Sequence, residues 1–223
     1  MSDNPYQTPE SDLGSDLRVS PYGGVRSLSF ISHLSIGSLA LCLFFNIICY
    51  SLSLSSDYSD YLNIQNSSGQ MYSEYIYSAG LEYIMYLEWS YLLAIILAAI
   101  VISIWTYRAM VNTWAVVKMK PTITPGWAVG WHFIPVANLW KPYEAMLDIW
   151  RGVFGLKKSQ FFLLLWWMCW IFSMIIASFG SADSLIPNGL EREGTIAVIL
   201  DSVAAILLMR IIFVVTKGQQ TSN

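Results

Sequence analysis

Apolar residues along this chain are gathered into long blocks separated by shorter polar stretches. Crossing a hydrocarbon core of roughly 30 Å takes about 20 apolar residues of helix. Three blocks meet that length, at residues 30–54, 81–107 and 195–216, and a fourth, at residues 161–179, is just adequate. The pattern predicts an all-α polytopic membrane bundle of four transmembrane helices, formed by a single membrane domain over residues 26–217.

The interval between the second and third blocks follows a different pattern. Pro121 and Pro125 end the second helix, because proline lacks an amide donor and disfavours helical geometry in the residue before it. The apolar run at 126–140 covers roughly 22 Å as a helix, too short to cross comfortably. A full crossing would also carry Lys157 and Lys158 to the opposite side from the other basic residues. We predict a short re-entrant or interfacial segment at 124–140, within a Trp-rich element that covers residues 124–154.

The second half of the Trp-rich element alternates at helical spacing. Apolar side chains recur at Tyr143, Met146, Leu147, Trp150 and Phe154. Another face carries Lys141, Glu144, Asp148 and Arg151. This division predicts an amphipathic helix that begins near Pro142 and lies along the membrane surface. The charges alternate in sign in pairs, so mutual screening is favoured over a binding face.

Composition agrees with lipid as the solvent of this chain. Hydrophobic residues make up 55% of the sequence and charged residues 12%. This balance lies outside the usual range of soluble domains. No cleavage site precedes the first block, so we expect the first span to act as its own insertion signal. Cys42, Cys49 and Cys169 fall inside predicted spans without CxxC spacing and are interpreted as packing residues.

The basic residues predict the orientation. Once the spans are placed, eleven of the twelve Lys and Arg fall on one side, and only Arg192 lies opposite. Short loops rich in Lys and Arg stay in the cytoplasm. We therefore predict cytoplasmic termini and a cytoplasmic central loop, with outer loops at 57–78 and 180–194. Residues 1–25 are interpreted as a flexible polar cytoplasmic tail and residues 218–223 as a short cytoplasmic tail.

The central segment carries a motif. It consists of Tyr107-Arg108-Ala109 with Asn112, Thr124-Pro125-Gly126-Trp127-Ala128-Val129-Gly130-Trp131, Phe133-Ile134-Pro135 and Asn138-Leu139-Trp140-Lys141-Pro142-Tyr143. This segment resembles the bacterial family of domain of unknown function 4328. The resemblance implies a bacterial inner-membrane protein of about four spans with a Trp-rich element between the second and third. It transfers no catalytic or ligand residue, and His132 stands where relatives are expected to have an aromatic side chain.

Three polar residues within the predicted spans lie at a similar depth. Asn46, Glu88 and Asp201 each fall seven or eight residues inside the outer ends of their spans, roughly 10 Å below the surface. Ionisable groups at such depth normally face a protein interior or an aqueous cavity. We hypothesise that the three form a proton or cation site, in which two close carboxylates could share a proton. The favoured alternative places Glu88 near the headgroups and satisfies Asp201 from a neighbouring helix.

A second group of candidates belongs to the cytoplasmic side. Aromatic and polar side chains there could form an interaction surface. The candidates are Arg108, Asn112, Trp127, Trp131, His132, Asn138, Trp140, Lys141 and Tyr143.

Several function classes are disfavoured. The chain contains no GxSxG, HExxH, Walker or Rossmann motif, so we predict no enzyme activity, catalytic residue, metal or cofactor. A nucleic-acid-binding protein is disfavoured, since membrane orientation already explains the distribution of the basic residues.

We therefore expect a non-enzymatic interaction or accessory component that contacts the lipid bilayer and binds a membrane protein partner or a second copy of itself. The alternative is a small carrier or channel for protons, cations or solutes. A lipid enzyme ranks third and would need Arg108, Asn112, His132 and Asn138 to converge.

Overall fold

A computed structural model of the protein describes residues 20–55, 70–115, 121–156, 158–180 and 190–221. Within these ranges the chain forms α-helices, short 3-10 turns and connecting segments, with no strand. The six helices are α1 Ser29–Ser55, α2 Gln70–Ala115, α3 Pro125–Gly130, α4 Lys141–Phe154, α5 Phe161–Gly180 and α6 Leu190–Gln220. Two 3-10 turns, Trp131–Phe133 and Ala137–Leu139, lie between α3 and α4.

Among the residues that the structure describes, four helices are long and apolar enough to cross a membrane. These spans are Ser29–Ser51, Met85–Ala115, Phe161–Ser178 and Gly194–Gln220. All eight prolines of the chain lie outside them, so no missing amide donor interrupts their hydrogen bonding. The predicted all-α bundle of four transmembrane helices is confirmed, and the chain is an integral membrane protein.

The four spanning helices are arranged as a row in the order α2, α1, α6, α5. The most extensive contacts join α5 to α6, α1 to α2 and α1 to α6. Trp105 of α2 is fully buried and donates a hydrogen bond from Nε1 to Oγ1 of Thr216 in α6 at 3.1 Å. This bond ties α2 to α6 near the C-terminal ends of both helices, at one end of the bundle.

We call that end of the bundle the basic end, because Lys and Arg residues are concentrated there. Helices α1 and α5 begin at this end, and α2 and α6 end there. The Trp-rich element lies here, because it connects the finish of α2 to the start of α5. Helix α4 packs against α2, α5 and α6. Its apolar residues Met146, Ile149 and Trp150 are buried.

The amphipathic helix is thus confirmed in position, but its apolar face is turned toward the protein. The sequence predicts that this face lies along the membrane surface. In the structure the face packs against the bundle, and two glycines let the backbone of α4 approach those of α2 and α6 closely. A Cβ at Gly152 would overlap the side chain of Thr113 in α2, and a Cβ at Gly218 of α6 would overlap Val153. The bundle therefore buries the surface that was expected to meet lipid.

Helix boundaries extend beyond the predicted spans. Helix α2 begins at Gln70, within the predicted outer loop, and α6 continues to Gln220, within the predicted C-terminal tail. At the other terminus, Tyr22 of the predicted flexible tail packs edge-to-face on Trp114 with ring centroids 5.4 Å apart. Residues 1–19 of that tail and the last two residues of the chain lie outside the described ranges, as does most of each predicted outer loop.

Candidate functional site

The structure joins two of the three predicted intramembrane residues. Asn46 of α1 donates a hydrogen bond from Nδ2 to Oδ2 of Asp201 in α6 at 2.9 Å. The same amide nitrogen donates to Oη of Tyr91 in α2 at 3.2 Å. All three side chains are half-buried. The arrangement links three helices through one amide group, which has two N–H donors and uses both.

Glu88 is not part of this group. Its side chain is exposed on α2, whereas Tyr91, three residues later, faces Asn46. Residues three apart on an α-helix differ by about 60° in direction, which is enough to separate a lipid-facing position from an interior one. Sequence reasoning missed Tyr91, for which the only available signal was a polar hydroxyl group within a predicted span.

A cavity of about 340 Å³ lies beside this polar group, between all four spanning helices. Its wall is mainly apolar. The lining comprises Leu39, Cys42, Leu43, Tyr91, Ile95, Ala98, Ile102, Trp166, Trp170, Asp201, Ala204, Ala205 and Leu208. Asp201 supplies the ionisable group of that lining, and Tyr91 supplies a hydroxyl.

Asn112, predicted as part of the cytoplasmic interface, is buried instead, with 1% of its surface exposed. Its Oδ1 accepts from the backbone N–H of Arg26 at 2.7 Å, and its Nδ2 donates to the carbonyl of Arg26 at 2.8 Å and to Oε1 of Gln219 at 2.9 Å. Gln219 donates in turn to the carbonyl of Ala109 at 3.0 Å and to Oγ1 of Thr113 at 3.3 Å. Asn112 therefore fastens the segment before α1 to the ends of α2 and α6.

The burial of Asn112 also removes it from the four residues that a lipid enzyme would need on one surface. His132 is exposed, whereas Arg108 and Asn138 are half-buried. Although much of the His132 surface is exposed, desolvation by neighbouring protein atoms lowers the pKa of His132 from its usual 6.5. The hydrogen bond from Nδ1 to the carbonyl of Val129, at 3.1 Å, partly opposes that shift. The neutral form of the ring therefore predominates at pH 7.

Other predicted interface residues stay near the surface but contact one another. Trp127 is exposed and stacks on the half-buried Trp131 with ring centroids 4.5 Å apart. Lys141 forms a 2.6 Å ion pair with Glu144 and lies 5.8 Å from the ring centroid of Trp131. Two further candidates complete this group: Trp140 is exposed, and Tyr143 is half-buried with its ring centroid 6.4 Å from that of Trp167.

Five apolar side chains of the Trp-rich element expose 44% or more of their surface, and we call this set the aromatic surface: Trp127, Phe133, Val136, Leu139 and Trp140. Phe133 exposes 79% of its surface and Val136 exposes 65%. Sequence reasoning missed Phe133, Val136 and Leu139, because apolar residues in a membrane protein give no signal that separates exposure from burial.

The backbone beneath the aromatic surface is held in place. Trp167 donates from Nε1 to the carbonyl of Leu139 at 3.1 Å, and Trp114 donates from Nε1 to the carbonyl of Ile123 at 3.0 Å. Asp148 of α4 accepts three hydrogen bonds at Oδ2: from the amide and hydroxyl of Thr122, both at 2.7 Å, and from the amide of Ile123 at 3.1 Å. Asp148, on the polar face of α4, thus positions the chain that enters the Trp-rich element. This face therefore does more than the mutual screening of charges that the sequence favoured.

Within the part of the chain that the structure describes, no three His, Cys, Asp or Glu side chains are grouped closely enough to hold a metal ion. The candidate chemistry is therefore that of the Asn46, Tyr91 and Asp201 group and of the aromatic surface.

Comparison with known proteins identifies one family. Its model, described as Domain of unknown function (DUF4328), matches residues 73–220. No curated protein and no solved structure matches. The matched range contains the Trp-rich element, nearly all of α2, and α5 and α6. Because this match covers well over half of the chain, the protein belongs to the DUF4328 family.

Proposed function

We propose that this protein is a non-enzymatic interaction component that binds another membrane protein through the aromatic surface. The observation that carries the proposal is the exposure of Phe133 and Val136 on an ordered segment at the basic end. Contiguous exposed apolar side chains mark interaction sites, and aromatic residues dominate the binding energy of protein interfaces.

The rigid backbone below the surface supports this role. Binding costs less when the contact residues are already held in their bound arrangement. Trp167 donates to the carbonyl of Leu139, and the amides of Thr122 and Ile123 donate to Asp148; these bonds hold both ends of the segment that carries the surface. A partner would meet a surface that is ordered before binding.

The local backbone favours protein over lipid as the covering partner. Phe133 and Val136 belong to a stretch of 3-10 turns and irregular chain, residues 131–139. Irregular backbone facing lipid is not tolerated within the hydrocarbon region, because its polar groups have no partners there. The exposed side chains therefore cannot be explained by deep insertion into lipid, whereas a protein can supply both apolar contacts and hydrogen bonds.

A small carrier or channel for protons, cations or solutes is the second candidate. The polar contact between Asn46 and Asp201 beside a cavity favours it. Transport also requires a route to both ends of the bundle. The hydrogen bonds between Trp105 and Thr216 and between Asn112 and Gln219 join α2 to α6 at the basic end, which argues against a route there, so the interaction role ranks first.

We place the protein in the bacterial cytoplasmic membrane, with both termini and the basic end facing the cytoplasm. The distribution of Lys and Arg along the chain supports this orientation. The partner would then approach the aromatic surface from within the membrane plane at its cytoplasmic face.

Site-specific photocrosslinking in native membranes tests the partner role. A photoreactive phenylalanine derivative replaces Phe133 or Val136, and mass spectrometry identifies the adducts. The matched control replaces Phe213, an exposed phenylalanine on spanning helix α6. We expect one saturable protein adduct from positions 133 and 136 and none from position 213.

The same partner should be lost on co-purification with a Phe133→Ser, Val136→Ser double variant that keeps the melting temperature of the parent. Adducts with lipid alone would overturn the proposal. An adduct with a second copy of the chain would show that the aromatic surface forms a homo-oligomer and does not bind a different protein.

A further inference from the structure

We propose that the cavity between the four spanning helices binds a lipophilic amine, meaning an apolar molecule that carries one protonated nitrogen. The inference rests on the cavity wall and on the carboxylate of Asp201, and it is independent of the partner role of the aromatic surface. The site lies within the spans, whereas the aromatic surface lies at the basic end.

The size and composition of the cavity suit a small apolar molecule. Its volume of about 340 Å³ falls at the lower end of the range for small-molecule sites, roughly 300 to 1,000 Å³. Leucine, isoleucine, alanine and tryptophan side chains form most of the wall. Trp166 and Trp170 of α5 provide aromatic rings, which also attract cations through their faces.

The charge of the ligand follows from Asp201. A carboxylate within a spanning segment normally pairs with an opposite charge or faces a polar cavity. Among the described residues, Asp201 makes no ion pair, and its hydrogen bond comes from the neutral amide of Asn46. Arg210, the next basic residue on α6, is occupied over the ring of Phe162, with the guanidinium carbon 4.5 Å from the ring centroid. A protonated amine would supply the missing positive charge.

Asn46 fixes the geometry of this acidic group. Both of its amide hydrogens are used, one by Oδ2 of Asp201 and one by the hydroxyl oxygen of Tyr91. The amide therefore orients the carboxylate without neutralising its charge. The second carboxylate oxygen of Asp201 and the remaining lone pair of the Tyr91 hydroxyl oxygen are acceptors that a protonated amine can use.

The arrangement of helices supplies a route of entry. Helices α2 and α5 stand at opposite ends of the row, yet residues of both line the cavity. The row is therefore curved, and a molecule dissolved in the bilayer would enter between α2 and α5. This lateral route needs no opening at the basic end.

Equilibrium dialysis of the full chain in lipid nanodiscs tests the inference with a matched pair of probes. The amine probe is 1-naphthylmethylamine, and the neutral probe is 1-naphthalenemethanol, which shares its ring system. Binding to empty nanodiscs is subtracted at pH 7. We expect saturable binding of one amine per chain and about tenfold weaker binding of the alcohol, because charge-assisted hydrogen bonds exceed neutral ones in strength.

Two nearly isosteric variants locate the charge. Asp201→Asn should weaken amine binding about tenfold, to the level of the alcohol. Glu88→Gln removes the other intramembrane carboxylate, which is exposed outside the cavity, and should change the affinity less than about twofold. Equal binding of amine and alcohol, or full binding by Asp201→Asn, would overturn the proposal.

A third variant keeps the test decisive if Asp201→Asn does not fold. Ala205→Leu adds volume to the cavity wall from a half-buried position and leaves the carboxylate in place. We expect it to abolish saturable amine binding. Unchanged amine binding by a folded Ala205→Leu protein would place the amine elsewhere and refute the assignment.

Discussion

Single polar residues hold the basic end of this bundle together. Asn112 and Gln219 are both nearly fully buried, and their bonds reach Arg26, Ala109 and Thr113. A buried amide that loses its partner costs about 1–3 kcal/mol, whereas a surface amide costs almost nothing to replace. The two neighbouring glutamines at the end of α6 therefore differ sharply in importance.

Replacing Gln219 by alanine is expected to destabilise the protein by about 2 kcal/mol, because Asn112 and the carbonyl of Ala109 each lose a buried partner. Gln220→Ala, at the adjacent exposed position, should stay within about 0.5 kcal/mol of the parent. Reversible unfolding in mixed micelles measures both. Equal stability of the two variants would contradict the role assigned to Gln219.

Sequence spacing alone located part of the intramembrane group. The similar depth of Asn46 and Asp201 follows from counting residues along each span, and the structure places their side chains 2.9 Å apart. Glu88 has a similar depth but faces outward, and Tyr91 takes the interior position on α2. Depth is a property of one helix, whereas direction depends on how neighbouring helices rotate against each other.

At the scale of elements, close backbone approach decides where the amphipathic helix lies. Gly152 of α4 faces Thr113 of α2, and Gly218 of α6 faces Val153 and Phe154 of α4. Small residues at helix contacts let backbones come near enough to gain dispersion energy in the absence of a hydrophobic driving force. Helix α4 is thus packed under the bundle through glycines.

Gly152→Ala is expected to destabilise the protein by about 1–3 kcal/mol, because the added methyl group overlaps Cγ2 of Thr113. Thr113→Ser removes that methyl and keeps the hydroxyl, so the double variant should recover most of the loss. Gly37→Ala in α1, where the new Cβ meets open space, is the matched control and should change stability by less than about 1 kcal/mol. A double-mutant cycle in micelles measures the coupling; additive effects would refute the contact.

At the scale of the whole molecule, charge gives the bundle two different ends. The basic end carries Arg26, Arg108, Lys141, Arg151 and Lys217, and it also carries the aromatic surface. If the positive-inside rule governs insertion, this end faces the cytoplasm. The proposed partner and the proposed orientation therefore concern the same end of the molecule.

Cysteine labelling in spheroplasts tests the orientation. An impermeant maleimide should label Ser184→Cys, in the predicted outer loop, before permeabilisation. It should label Gln220→Cys, at the exposed end of α6, only afterwards. The parent chain, whose Cys42, Cys49 and Cys169 lie in the spans, serves as background. The reverse pattern would invert the proposed topology.

The sequence by itself determined the number of spanning helices, their order along the chain and the place of the Trp-rich element. These features depend on local properties: the length of an apolar run, the position of prolines and the period of an amphipathic helix. Only the tertiary structure decided which side of each helix faces inward. Spanning helices that are apolar all round carry no periodic signal of their interior face, so contacts between helices set it. For the same reason, the burial of Asn112 and Gln219 and the packing of the apolar face of α4 against the bundle depend on tertiary contacts and could not be predicted from the sequence.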